Sequence, residues 1–161
     1  MSEETGAVPT PWILDVSVLT AIARADSEIT GLILELDAQG QPLVLPVLAI
    51  AAASLDARGA DADDALHGLE QLANAEVAPL RDADQAAGLA TVIARAALDP
   101  WDAHAAAVAG AAICPVLTLD AAKWHRLPAD PDAPLHIIEI TDPDDDSGRP
   151  PAVTRPGPAP A

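Results

Sequence analysis

Short β-branched and aliphatic runs alternate along the chain with longer stretches whose apolar positions return every three or four residues. Trp12-Ile-Leu-Asp-Val16 reads as a first strand, followed by an apolar helix from Ser17 to Ala25. Ser27 is the expected cap of a second helix carrying Ile29, Leu32, Ile33 and Leu36 at helical spacing, closed by Gly40 and Pro42. Leu43-Val-Leu45 reads as a second strand and Val47 to Ala57 as an Ala-rich buried helix broken at Gly59. An amphipathic helix is expected from Asp61 through Leu66, Leu69 and Leu72 to near Asn74, then a weak strand over Glu76–Leu80. Asp82 to Ala97 and Pro100 to Ala112 read as helices, Cys114 to Thr118 as a fourth strand, and Asp120 to Trp124 as a short helical turn. Leu135 to Ile140 alternates as a last strand.

Near-continuously apolar strands alternating with helices predict an α/β protein: a three-layer α/β/α domain around a central parallel sheet of four to five strands. The predicted domain spans residues 11–140. From Pro128 prolines accumulate, Asp142, Asp144, Asp145 and Asp146 form an acidic run, and a Pro/Ala-rich sequence follows Ser147. Residues 141–161 are therefore expected to be a disordered tail.

Composition sharpens this picture in two ways. Aromatic content is 2%, with three Trp and no Phe or Tyr, so the core must be built from aliphatic side chains and closely approaching Ala-rich helices. The formal charge of −17 is not confined to the tail, because residues 10–127 carry sixteen acidic against six basic side chains. Such a surface disfavours nucleic-acid binding by a basic patch. The single cysteine, Cys114, suits a reducing compartment and reads as a buried structural thiol. No signal-peptide core or membrane-length apolar run is seen, so the expected location is the cytoplasm.

Candidate chemistry lies in three carboxylates placed where an α/β sheet presents its ligand site, at the carboxyl ends of strands. Asp15 follows the first strand, Asp120 follows the fourth, and Asp102 lies in the first turn of the helix before it. Taken singly, Asp102 suits an acid facing a helix dipole and Asp120 an N-cap. Asp15 is the least easily explained, since a charge within an apolar strand costs free energy unless paired or cation-bound. Together the three suit Mg²⁺ or Mn²⁺, which could activate water beside a phosphodiester. His104 is assigned to packing or the surface, and His67, His125 and His136 lack zinc-ligand spacing. No Gly-rich phosphate loop or Gly-x-Ser-x-Gly elbow is present.

Two segments also carry a family resemblance. Trp12-Ile-Leu-Asp-Val-Ser-Val-Leu-Thr-Ala-Ile resembles the opening strand and helix of PIN domains. Pro100-Trp-Asp-Ala-His-Ala-Ala-Ala-Val-Ala-Gly-Ala-Ala followed by Cys-Pro-Val-Leu-Thr-Leu-Asp-Ala-Ala-Lys-Trp is similar to their second half. The resemblance, over about residues 11–140, implies an α/β/α fold and a Mg²⁺- or Mn²⁺-dependent ribonuclease of the kind found among VapBC-type toxins. It places Asp15, Asp102 and Asp120 at catalytic metal-site positions, with Thr118 and Ser17 in support. It departs from the family at the helix after the second strand, where the usual Glu falls near Ala52; Asp56 lies one turn further on.

Two functions follow as expectations. The first is a ribonuclease acting on RNA phosphodiesters, with a small antitoxin-like protein and a homodimer as its partners. The second is a degenerate PIN fold acting as a protein-binding or regulatory module. If the acids repel one another around a metal position, Asp15→Asn should stabilise the metal-free fold.

Overall fold

The computed structural model describes residues 9–127, 134–141 and 152–153. The parallel strands β1 (Trp12–Leu14), β2 (Leu43–Pro46), β3 (Ala75–Ala78), β4 (Val116–Thr118) and β5 (Ile137–Thr141) form the central sheet in the order β3-β2-β1-β4-β5. Register follows the hydrogen bonds: Ile13 lies opposite both Val44 and Val116, and Leu117 opposite Ile138. Because the chain steps from β1 to β2 on one side and returns to β4 on the other, the order reverses between β1 and β4. That switch point opens a crevice at the carboxyl ends of both strands.

Among the described residues seven helices flank the sheet: α1 (Val16–Ala23), α2 (Ser27–Ala38), α3 (Val47–Ala57), α4 (Ala60–Glu70), α5 (Ala83–Ala96), α6 (Pro100–Ala112) and α7 (Ala121–His125). Strand residues alternate between two cores, as the two-residue pleat requires. Leu14, Leu43, Leu45, Leu117 and Ile138 face the layer of α1–α4, with Val18, Leu19, Ile33 and Leu66. Ile13, Val44, Val116 and Ile137 face the other layer, with Ala105, Ala109, Cys114 and Trp124. The architecture is thus the expected three-layer α/β/α fold. The small side chains of α6 let it lie close to the sheet, while α5, which buries no residue, packs outside it against α6.

Several boundaries differ from expectation for local reasons. β1 stops at Leu14, because the Asp15 side chain accepts from Val18 N–H and starts α1 one residue earlier than Ser17. The cap of α2 is Asp26, not Ser27: Asp26 Oδ1 accepts from the N–H groups of Glu28 and Ile29, leaving Ser27 as the first helical residue. α4 ends at Glu70, short of Asn74, whose backbone N–H and side-chain amide instead bond Asp37 at the end of α2. β3 ends before Pro79, and β4 begins only after Cys114-Pro115. Of the expected tail, Thr141 completes β5 and Ala152–Val153 form a two-residue strand antiparallel to it, β6; the rest lies outside the described residues.

The cap assignment is testable by urea denaturation. Asp26→Ala should cost about 1 kcal/mol, the usual value of a lost N-cap, whereas Ser27→Ala should change stability by less than about half of that.

Candidate functional site

The candidate site is built around Asp15, which is completely buried at the switch point. Its backbone serves two elements: the N–H donates to Leu117 O of β4 at 3.2 Å, and the carbonyl accepts from Leu19 N of α1 at 3.1 Å. The side chain is thereby held in the crevice between the ends of β1 and β4. Its Oδ1 accepts from Ser17 Oγ at 2.5 Å and Val18 N at 3.2 Å. Its Oδ2 accepts from Thr118 Oγ1 at 2.6 Å and Trp124 Nε1 at 2.9 Å.

The two hydroxyls are oriented from behind. Ser17 Oγ accepts from Leu119 N and Thr118 Oγ1 from Asp120 N, each at 2.9 Å. A hydroxyl has one proton, so accepting these N–H groups leaves it free to aim that proton at the carboxylate. Backbone amides of the loop after β4 are thus relayed through Ser17 and Thr118 to Asp15, a chain in which each bond polarises the next.

The cation of the site is Lys123. Its Nζ donates to Asp102 Oδ1 at 3.0 Å and lies 3.6 Å from Asp15 Oδ2. It also sits 5.1 Å from the centroid of the Trp124 ring. Asp102 occupies the first turn of α6, where the helix dipole favours an anion, and is only 6% exposed. Burial pushes the Asp102 carboxyl above its ordinary range, and the Lys123 hydrogen bond and charge offset only part of that. For Lys123, burial works against the charged form, but the Asp15 charge and the Asp102 hydrogen bond outweigh it and raise the ammonium above its usual value.

Of the three expected acids, Asp15 and Asp102 flank the Lys123 ammonium, and Asp120 acts on it through its charge, which also raises the lysine. Asp120 is exposed, and its Oδ1 caps α7 by accepting from Lys123 N at 3.2 Å. Ser17 and Thr118 do stand beside Asp15. Asp56 is turned away, paired with Arg24 of α1 at 2.5 Å, and Ala52 is buried. Among the described residues, no group of three or more His, Cys, Asp or Glu side chains is placed to hold a metal ion.

The fit of Mg²⁺ or Mn²⁺ can be judged from the donors themselves. Mg²⁺ needs oxygen ligands at about 2.0–2.1 Å with open lone pairs. Both Asp15 oxygens are already engaged by the fold, and the position between Asp15 and Asp102 is taken by an ammonium. The residues as arranged do not fit a divalent ion.

Sequence reasoning missed two residues. Lys123 and Trp124 were read only as part of a helical turn, although a basic side chain three residues after Asp120 in so acidic a chain was a usable signal. His104, assigned to packing or the surface, is buried at 2% exposure. Its Nδ1 accepts from Leu48 N of α3 at 3.4 Å. Since Pro46, at the N-cap position before α3, supplies no side-chain cap, His104 of α6 serves as the cap from another element.

Beside this cluster lies a groove of about 860 Å³ between α1 and α3, roofed by the start of α6. Ser17, Thr20, Arg24, Ala52, Leu55 and Trp101 are among its lining residues, and Leu55 is 62% exposed. Among known proteins, no family model and no curated relative matches the chain. No helix among the described residues is long and apolar enough to cross a membrane.

Two outcomes check this geometry. Asp15→Asn places an amide N–H₂ against hydroxyl, indole and ammonium donors, so it should destabilise the fold by on the order of 3 kcal/mol in urea denaturation. This reverses the stabilisation expected from relief of repulsion. For His104, burial lowers the imidazole below its ordinary value. The linked stability is therefore present above the unfolded value of about 6.5 and is lost as pH falls through the lower folded value. The stability of wild type relative to His104→Gln should accordingly decline as pH falls below about 6.5.

Proposed function

We propose that the chain is a PIN-like domain that works as a binding module, with its acid cluster compensated internally, and not as a metal-dependent ribonuclease. One observation carries this reading: both oxygens of Asp15, the acid at the switch point, are engaged by Ser17, Val18, Thr118 and Trp124, while Lys123 holds Asp102. Such an acid organises α1, β4 and α7 and has no free lone pair directed at a substrate.

Binding is assigned to the groove between α1 and α3. Leu55 and Trp101 offer apolar contact there, and Asp26 lies among its lining residues. With a net charge of −17, the protein repels RNA and attracts cationic partners. A protein segment carrying basic and apolar side chains suits this surface, which is the chemistry of a small antitoxin-like partner.

A second reading, the Mg²⁺- or Mn²⁺-dependent ribonuclease, is favoured by the convergence of Asp15 and Asp102 on one cation position. It requires an ion to displace the Lys123 ammonium. Calorimetric titration of the full chain and of Asp102→Asn with Mn²⁺, beside cleavage assays on single-stranded and structured RNA, separates the two. The binding-module reading expects no saturable heat at millimolar Mn²⁺ and no cleavage by either protein. Saturable binding lost in Asp102→Asn, together with Mn²⁺-dependent RNA cleavage, would establish the ribonuclease instead.

A further inference from the structure

We propose that Lys123 is a resident cation whose ammonium joins α6 and α7 across the carboxyl ends of β1 and β4, giving the crevice the cohesion that a metal-dependent site draws from a bound ion. This rests on the binding-module reading and assigns a positioning role within it.

The geometry supports it from three sides. Lys123 Nζ lies 3.0 Å from Asp102 Oδ1 and 3.6 Å from Asp15 Oδ2, so one charge touches acids from two separate elements. All three side chains are withdrawn from water, with exposures of 25% for Lys123, 9% for Asp102 and 0% for Asp15. Contacts in such surroundings are screened far less than surface pairs. Lastly, α7 is a single five-residue helix, and side chains fasten it to the crevice: Trp124 Nε1 to Asp15 and Lys123 Nζ to Asp102. Asp102, in turn, stands beside Trp101, which lines the groove. Holding Asp102 thus holds one wall of the binding surface.

The alternative is that the Lys123 stem merely fills space. A charge-based role makes a different prediction, because removing the ammonium leaves two withdrawn carboxylates facing each other without compensation. Removing Asp102 as well takes away one of them.

Thermal unfolding of the full chain as wild type, Lys123→Met, Lys123→Arg, Asp102→Asn and the Lys123→Met/Asp102→Asn double variant tests the proposal, each measured in EDTA and in millimolar Mn²⁺. Lys123→Met should lower Tm by roughly 5–10 °C. The double variant should recover most of that loss, and Lys123→Arg should keep most of the wild-type value. Amide exchange over residues 121–125 should quicken in Lys123→Met and slow again in the double variant. If Lys123→Met does not fold alone, regained cooperative unfolding in the double variant is the supporting result, and failure to regain it is the opposing one. Additive effects of the two substitutions, or a Lys123→Met protein as stable as wild type, overturn the role assigned to Lys123. A wild-type Tm that rises with Mn²⁺ opposes the binding-module reading, whereas the coupling between Lys123 and Asp102 is read in EDTA independently of it.

Discussion

Burying one carboxylate at the point where the sheet reverses direction is the constraint on which this structure turns. Asp15 cannot remain there unless its oxygens are satisfied, since an unpaired charge withdrawn from water costs several kcal/mol. The fold meets that requirement with donors drawn from different parts of the chain: Ser17 and Val18 from α1, Thr118 from β4 and Trp124 from α7. Among the described residues, no buried side-chain nitrogen or oxygen lacks a hydrogen-bond partner. The acid is therefore less a free chemical group than a fastening point for three elements.

The same constraint explains how an aliphatic, Ala-rich protein specifies one arrangement. Ala and Leu cores pack densely but tolerate sliding, because dispersion has little directionality. Hydrogen bonds to Asp15 do not. Thr118 Oγ1 at 2.6 Å and Trp124 Nε1 at 2.9 Å fix both the level at which β4 ends beside β1 and the rotation of α7. His104 does the corresponding service on the other side, joining α6 to the start of α3 through Leu48 N. The groove between α1 and α3 thus has walls whose positions are set by polar contacts and not by apolar packing alone.

Most of the fold was legible in the sequence because strand and helix periods are local properties. The strands expected over Trp12–Val16 and Cys114–Thr118 form over Trp12–Leu14 and Val116–Thr118, and α3 and α6 were placed with their observed bounds. Boundaries moved where a side chain decided them, as Asp15 did for α1 and Asp26 for α2. The nearness of Asp15 and Asp102 was legible too, since strand ends and the first turn of a helix point into the same crevice, whereas Ser17 and Thr118 entered only through the family resemblance. What was not legible was the direction of each side chain. Asp120 was readable both as a site acid and as an N-cap, and its Oδ1 takes the cap, while Asp56 is drawn off by Arg24. One-dimensional spacing does not decide between such competing partners.

Charge balance in the crevice turns on Lys123, a cation the sequence reading did not place there. Asp15 and Asp102 flank its ammonium, and the Asp120 charge acts on it as well. Two acids surrounded by hydroxyl, amide and indole donors do not call for a doubly charged ion. A single ammonium beside Asp102 offsets half of their formal charge while the donors on Asp15 solvate its carboxylate, and the long stem reaches from α7. The surrounding protein is already acidic, so an internal cation also shields the crevice from the field of the remaining carboxylates. Restoring a metal-type site would therefore take more than a Glu at position 52: that position lines the groove beside Ser17, but the ammonium would still stand between Asp15 and Asp102.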